Sequence, residues 1–264
     1  MKSMVKAIIA GSCIIVLGVA ILIVALALNG GTFKAHFDTK EFNAEYEHKQ
    51  IVLESSAGSV KINYYDGEKV KIVYPEAKNY KVDIEEKDGY MQITGPSPKW
   101  YEFSIWWANI PEITINLPKS TTFQLNLTLN AGSLRLDGEY SSVWLNVNAG
   151  TLRSTNFVCT TLYAKVNAGS MIINHLRCSN KFEGEVNAGS LNVSYIDCPE
   201  ITAKVSAGSL NMKVWGLKTD YRIYAYVSAG SSNIESQNNT SDRSINARVS
   251  AGSLNVTFLG YYSD

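Results

Sequence analysis

Apolar and polar residues alternate through most of the chain from residue 124 to residue 258, and the alternation recurs about every twenty residues. Seven times such a run leads into Asn-Ala-Gly-Ser, Asn-Ala-Gly-Thr or Ser-Ala-Gly-Ser. The alanines of these corner motifs are Ala131, Ala149, Ala168, Ala188, Ala207, Ala229 and Ala251. A two-residue alternation predicts β-strands, and a fixed repeat length predicts a stacked array.

The inward face of each copy can be traced by counting from its alanine. Residues six and two places before the alanine are apolar in every copy, and apolar residues return three and five places after it, except at Ser232 and Ser154. Glycine lacks a Cβ and accepts positive φ, so each Ala-Gly pair predicts a tight corner between two strands. We therefore predict an all-β, parallel β-solenoid of about seven rungs of 18–22 residues, each of which buries one face against its neighbours.

In-register stacking also aligns the polar residues into files. One predicted file is Asn130, Asn148, Asn167 and Asn187, and another is Asn192, Asn211, Asn233 and Asn255. Stacked asparagines exchange amide hydrogen bonds along such a file, which favours a structural role. A polar strip that binds a ligand is the alternative interpretation.

The region before the array carries one outlying copy of the motif at Ala57-Gly58-Ser59, between Ile51 and Ile62. Alternating runs and a strand that ends at Pro118 follow it. We predict a β-rich cap over residues 51–123 that covers the N-terminal strand edges, and a β-solenoid repeat domain over residues 124–264.

The N-terminal segment is the one helical prediction. Residues 7–28 contain no charge and are long enough to cross a bilayer, which predicts a transmembrane anchor between a cytoplasmic tail (1–6) and a linker or stalk (29–50). A cleaved signal with its site near Ala25 and Ala27 is the alternative. The expected location is the cell membrane, single-pass, with the body of the protein extracytoplasmic.

An aromatic window follows the outlying copy. It consists of Trp100, Tyr101, Phe103, Trp106 and Trp107. Rings this close together either pack as a cap on the first rung or contact saccharides or lipids. This window is the predicted binding site.

Three cysteines each lie ten places past an alanine of the array: Cys159, Cys178 and Cys198. Stacking places them on adjacent rungs, and parallel in-register strands aim their Cβ atoms alike, which favours buried free thiols over a disulfide. One strained bridge is the alternative. The three histidines are far apart in sequence, so no metal site and no cofactor is predicted.

The balanced charge and the lack of known catalytic motifs argue against several classes of function. The 24 basic residues balance 24 acidic ones, so nothing indicates nucleic-acid binding. The sequence contains no nucleophile elbow, zinc-protease motif, phosphate loop or dinucleotide fingerprint, so we predict no catalytic residue and no enzyme.

The outlying Ser-Ala-Gly-Ser-Val unit, the strand that ends in Leu-Pro at Pro118, and the Gly-Ser-Leu repeats together resemble the bacterial "putative adhesin" β-strand-repeat family. The resemblance covers residues 51–258 and implies a cell-envelope protein of unknown function with no known active site. Some members are similar to proteins of envelope-stress responses.

Three functions follow as hypotheses. The first is an adhesin or surface scaffold that binds a glycan or a surface protein. The alternatives are a regulatory module of an envelope-stress response that acts through a membrane partner, and a polysaccharide-acting enzyme. Because the chain ends soon after Ala251, we also predict an open edge on the C-terminal rung that pairs with a second copy.

Overall fold

The computed structural model describes Val24 and residues 37–44, 49–77, 80–96 and 111–261. Apart from Val24, which is helical, nineteen strands of one sheet and a 3-10 turn at Lys218–Asp220 make up the regular structure of these residues. The strands are β1 Asp38–Ala44, β2 Gln50–Ser55, β3 Ser59–Tyr65, β4 Val70–Glu76, β5 Asp83–Lys87, β6 Tyr90–Thr94, β7 Ile113–Pro118, β8 Phe123–Leu129, β9 Ser133–Leu136, β10 Gly138–Val147, β11 Thr151–Val166, β12 Ser170–Val186, β13 Ser190–Asp197, β14 Glu200–Val205, β15 Ser209–Val214, β16 Arg222–Val227, β17 Ser231–Ser232, β18 Ser244–Val249 and β19 Ser253–Phe258.

The sheet curls at the corner motifs into two parallel runs. The run before the corners follows the order β6, β2, β8, β10, β11, β12, β14, β18, β16. The run after the corners follows the order β7, β3, β9, β11, β12, β13, β15, β19, β17. Strands β11 and β12 belong to both runs because each extends from one corner to the next.

The corners stack through their glycines. A Cβ built on Gly189 would lie 2.2 Å from the carbonyl oxygen of Gly169, and the corresponding distance from Gly208 to Gly189 is also 2.2 Å. Only a residue without a side chain permits this approach, which explains why glycine recurs at these positions. The outlying motif joins the same stack, because a Cβ on Gly132 would lie 1.9 Å from the oxygen of Gly58.

The core lies inside the curl, on the positions that the alternation predicts. Leu125, Phe182 and Ile245, all six places before a corner alanine, are fully buried, and the residues three and five places after the alanine are buried wherever they are apolar. The residues two places before the alanine are also buried, except for Val227. It has 40% of its surface exposed, since β16 is the last strand of its run.

The order of the last two repeats corrects the predicted array. Strand β18 pairs with β14 on one side and with β16 on the other, so the repeat of Ala251 lies between the repeats of Ala207 and Ala229. The same insertion occurs after the corner, where β19 separates β15 from β17. The chain therefore leaves a gap one strand wide and returns to fill it.

The predicted fold class is wrong as stated. The all-β class agrees with the described residues, but they form one curled sheet whose repeats do not follow chain order, and the motif at Ala57 adds an eighth corner. Antiparallel pairs of β1 with β4, β4 with β7 and β5 with β6 extend the sheet at its N-terminal end. No helix among the described residues is long and apolar enough to span a bilayer. The predicted anchor, residues 7–28, lies outside those residues except for Val24.

The prediction of an open edge on the C-terminal rung is also wrong. Both strands of the last repeat, β18 and β19, are paired on two sides, and the terminal strand before the corners is β16. The free edge of β16 is partly covered by the chain itself. Ile223 and Gln237 exchange backbone hydrogen bonds of 2.8 and 2.9 Å, and the amide of Ala225 donates to Ser236 Oγ at 2.9 Å. These contacts occupy groups that a second copy would need for strand addition.

Candidate functional site

Two aromatic rings stand on the outer face of the sheet before the corners. Trp144 of β10 and Tyr163 of β11 are directly paired in the register, and both lie five places before a corner alanine, so their side chains point outward. Their ring centroids are 5.5 Å apart with an interplanar angle of 11°, which is a stacked arrangement. Trp144 is 37% exposed, which is unusual for a tryptophan in the middle of a sheet.

The aromatic pair lines a cleft of about 330 Å³, and most of the other residues that line it are polar. On one side of Trp144 the neighbouring strand β8 carries the short residues Asn126 and Thr128, and on the far side of Tyr163 strand β12 carries Glu183 and Glu185. On the side of Trp144 away from Tyr163, the residue paired with it in the register is Asn126, whose side chain is shorter than an aromatic ring. We call this surface the Trp144 cleft.

Lysines neutralise the carboxylates of the Trp144 cleft. Lys165 Nζ lies 2.7 Å from Glu185 Oε1, and Lys204 Nζ lies 2.6 Å from Glu183 Oε1. Lys181 adds a second contact to Glu183 at 3.3 Å. The hydrogen bond from Lys204, joined by that from Lys181, lowers the pKa of Glu183 below its usual value against the opposing effect of partial burial. Glu183 is therefore ionised at neutral pH.

The lowered pKa of Glu183 predicts an acid-dependent loss of stability. A depressed folded-state pKa stabilises the fold above the unfolded-state value of about 4.5, and this contribution disappears as the pH falls through the folded-state pKa. We expect Glu183→Gln to lower the free energy of unfolding by about 1 kcal/mol at pH 7, and the difference from wild type to shrink below pH 4.5. Urea unfolding at several pH values measures it.

Glu235→Gln is the matched control for this prediction, because Glu235 is exposed and forms no ion pair with a described residue. We expect its unfolding midpoint to follow the wild type at every pH. An effect of Glu183→Gln that is the same at pH 7 and at pH 3 would show that the charge of Glu183 does not stabilise the fold.

The asparagine files are hydrogen-bonded along the stack. Asn148 donates to Asn130, Asn167 to Asn148, and Asn187 to Asn167, each at 2.6 Å. In the second file Asn211 donates to Asn192 at 2.8 Å and Asn233 donates to Asn255 at 2.7 Å. These hydrogen bonds join neighbouring layers, so the files supply order along the stack. A role in ligand binding stays a prediction.

The three array cysteines are free and buried. The sulfurs of Cys159 and Cys178 are 3.4 Å apart, which is a contact between thiols and not a bond. Hydrogen bonds to Cys159 and Cys198, together with burial, raise the pKa of the Cys178 thiol well above its ordinary value. The column therefore behaves as apolar packing on the inner face of the sheet.

The aromatic window that the sequence predicts as a binding site, from Trp100 to Trp107, lies outside the described residues. Among the residues that are described, no group of three or more His, Cys, Asp or Glu side chains could hold a metal ion. The Trp144 cleft was not predicted. Its signal is an aromatic residue at the same outward place in two consecutive copies, which appears when the repeats are aligned by their alanines.

Comparison with known proteins identifies a family that this chain matches. The family model described as Toastrack DUF4097 matches residues 48–262. No curated protein matches the chain.

Several solved structures are similar to this chain. A "putative cell adhesion protein" from Clostridium sporogenes is 18% identical, with 84% of this chain and 100% of that chain covered and a TM-score of 0.39. A "putative adhesin" from Bacteroides fragilis is 12% identical, with 85% and 97% covered and a TM-score of 0.47. A "putative lipid binding protein" from Parabacteroides distasonis is 14% identical, with 85% and 95% covered and a TM-score of 0.40.

Proposed function

The chain belongs to the Toastrack DUF4097 family, and on that premise we propose that it is a non-catalytic cell-surface protein that binds an oligosaccharide in the Trp144 cleft. The observation that carries the proposal is the stacked, partly exposed pair of Trp144 and Tyr163 in a cleft with polar walls. The surface location is supported by the resemblance to the bacterial "putative adhesin" family.

The geometry of the Trp144 cleft suits a sugar ring. Tyr163 stacks on one face of the Trp144 indole and fixes its orientation, so we infer that the opposite face, beside Asn126, receives the ligand with little loss of side-chain entropy. The C–H face of a pyranose stacks on such a ring. Amide and hydroxyl groups of Asn126, Thr128 and Asn146 border the cleft and are of the kind that exchange hydrogen bonds with sugar hydroxyls.

The electrostatics of the cleft support binding over catalysis. Glycoside hydrolysis requires one protonated carboxyl group as a general acid beside a second, ionised carboxylate. Glu183 has a lowered pKa and two lysine partners, and Glu185 forms an ion pair with Lys165. Glu183 is held ionised by its lysine partners and cannot donate the proton, and Glu185 is engaged by Lys165, so the two carboxylates serve better as hydrogen-bond acceptors.

We expect Trp144→Ala to weaken binding of the oligosaccharide ligand at least about tenfold, because an aromatic anchor at the centre of a site carries much of the binding free energy. A screen of the full chain against immobilised oligosaccharides identifies the ligand, and titration calorimetry measures the loss. Tyr224→Ala is the matched control, since Tyr224 occupies the same outward place in the repeat but lies on the terminal strand β16, where 51% of it is exposed.

The outcomes separate the hypotheses. Absence of any bound oligosaccharide, or equal affinity of Trp144→Ala and wild type, would show that the Trp144 cleft is not a glycan site. Release of reducing ends from a bound polysaccharide, abolished by Glu183→Gln, would show an enzyme instead. Labelling of the protein on intact cells by a reagent that cannot cross the membrane tests the surface location.

A further inference from the structure

Three positive side chains lie side by side on the strands after the corners. The register pairs Lys61 of β3 with Arg135 of β9, and Arg135 with Arg153 of β11. Neighbouring strands are about 4.8 Å apart, so the three residues form a line about 10 Å long between their outer Cα atoms. We call this line the cationic row. It lies on a different part of the curl from the Trp144 cleft, which is built on strands before the corners.

The cationic row has no counter-charge of its own. None of the ion pairs between described residues includes Lys61, Arg135 or Arg153. Like charges directly opposite each other on adjacent strands destabilise a sheet. In the Trp144 cleft, by contrast, Lys165 lies beside Glu185 at 2.7 Å. Repulsion among the three cations therefore lowers the stability of the fold, and a bound anion would offset this repulsion.

A small cleft of about 200 Å³ opens beside the two arginines. Its polar walls include Ser154, Thr155 and Asn174, and Asp137 is its one lining carboxylate. The Oδ1 atom of Asp137 is already engaged, because it accepts hydrogen bonds from Ser154 Oγ at 3.1 Å, from the amide of Thr155 and from the amide of Asn156 at 2.9 Å. The cleft itself is lined by two arginines and one carboxylate, and Lys61 is the next residue along the row, so positive charges outnumber this carboxylate by two.

We propose that the cationic row is a binding site for a tetrahedral oxyanion, a sulfate or phosphate ester group, held by Arg135 and Arg153 with Lys61 beside them. Guanidinium groups present paired N–H donors that match two oxygens of such an anion, and two arginines on adjacent strands can hold it from two sides. The hydroxyl group of Thr155 borders the same cleft and is able to donate to a third oxygen. This proposal does not depend on the Trp144 cleft or on its ligand.

The test uses the full chain and fluorescent dextran sulfate, with uncharged dextran as the comparison polymer. We expect saturable binding of dextran sulfate only. The double variant Arg135→Gln/Arg153→Gln should weaken it on the order of 100-fold, since each charge-assisted contact contributes roughly tenfold. Sodium sulfate and sodium phosphate should each displace the polymer more effectively than sodium chloride at equal ionic strength, and the stronger competitor identifies the preferred ester.

Lys213→Gln/Lys218→Gln is the matched control, because it removes two positive charges from exposed positions outside the cationic row, one on β15 and one in the 3-10 turn. We expect this variant to bind dextran sulfate within about twofold of wild type, since screened surface charges contribute little. Equal weakening by both double variants, displacement by chloride as effective as by sulfate and phosphate, or no binding of dextran sulfate would each overturn the proposal. Circular dichroism of both variants establishes that they are folded.

Discussion

Gly189→Ala is expected to lower the free energy of unfolding by about 3 kcal/mol or more, although it adds a single methyl group. The new Cβ would lie 2.2 Å from the carbonyl oxygen of Gly169 and 2.7 Å from a methyl carbon of Val166. That oxygen cannot move away, because it accepts a hydrogen bond from the amide of Ser190 at 3.0 Å. The two layers must therefore separate locally, which breaks contacts on both sides of the corner. Urea unfolding followed by circular dichroism measures the effect.

Gly95→Ala provides the matched control, because a Cβ on Gly95 would lie 3.4 Å from its nearest neighbours, an ordinary contact. We expect its free energy of unfolding to stay within about 1 kcal/mol of wild type. If both substitutions cost the same, the corners do not depend on close stacking of their glycines, and the positions of these glycines would need another explanation.

The strand face, the corners and the core were predictable because one local rule determines them all. A residue two, four or six places before the corner alanine, or three or five places after it, points into the curl, so Phe182 and Ile245 could be assigned to the core from sequence alone. The rule fails at Val227, which lies two places before Ala229 and should be buried, but is 40% exposed. Burial there depends on whether another strand follows, and local alternation carries no information on that.

The order of the last two repeats could not be predicted, because the two copies present nearly the same inward surface. Ile223 matches Ile245, Ala225 matches Ala247, and Val227 matches Val249. Apolar burial is therefore similar in either order.

The observed order of these repeats is supported by contacts of the connecting segment. Arg243 donates to Asp197 Oδ1 at 2.8 Å, and the amide of Ser244 donates to the carbonyl oxygen of Pro199 at 2.9 Å. Both contacts fix the start of β18 beside β14. Gln237 meanwhile bonds to the outer edge of β16 through Ile223. Such contacts join residues far apart in sequence and have no periodic signature.

The Trp144 cleft also depends on residues that are distant in sequence, so a local search of the chain does not find it. Its two rings are 19 residues apart, so a search for aromatic residues within a short window selects the segment from Trp100 to Trp107 instead. Stacking converts a separation of one repeat into contact at 5.5 Å between Trp144 and Tyr163. In a repeat protein, candidate sites are therefore better sought along the columns of aligned copies than along the chain.

The order of the repeats predicts which pairs of cysteines can be joined. Ser206 and Ser250 lie on adjacent layers, since the amide of Ala251 donates to the oxygen of Ser206 at 2.7 Å. Their Cα atoms are about 4.8 Å apart, within the range that a disulfide can bridge. Both residues are exposed and lie at the corners, outside the strands, so their side chains are able to turn towards each other, unlike those of the buried strand residues Cys159 and Cys178. We expect the double variant Ser206→Cys/Ser250→Cys to form this disulfide on mild oxidation, as shown by mass spectrometry of tryptic peptides.

The double variant Ser206→Cys/Ser228→Cys should remain reduced under the same oxidation. Ala229 donates its amide to the oxygen of Ser250 at 2.7 Å, so Ser228 lies one layer beyond Ser250 and about 10 Å from Ser206. Cysteines whose Cα atoms are more than about 7 Å apart are not joined without movement of the backbone. All three serines are exposed, so access of the oxidant does not distinguish the pairs. If the repeats stacked in chain order, the result would be the reverse, with a bond between positions 206 and 228 and none between 206 and 250. The two double variants therefore test directly whether the last repeat is inserted between the two repeats that precede it in the sequence.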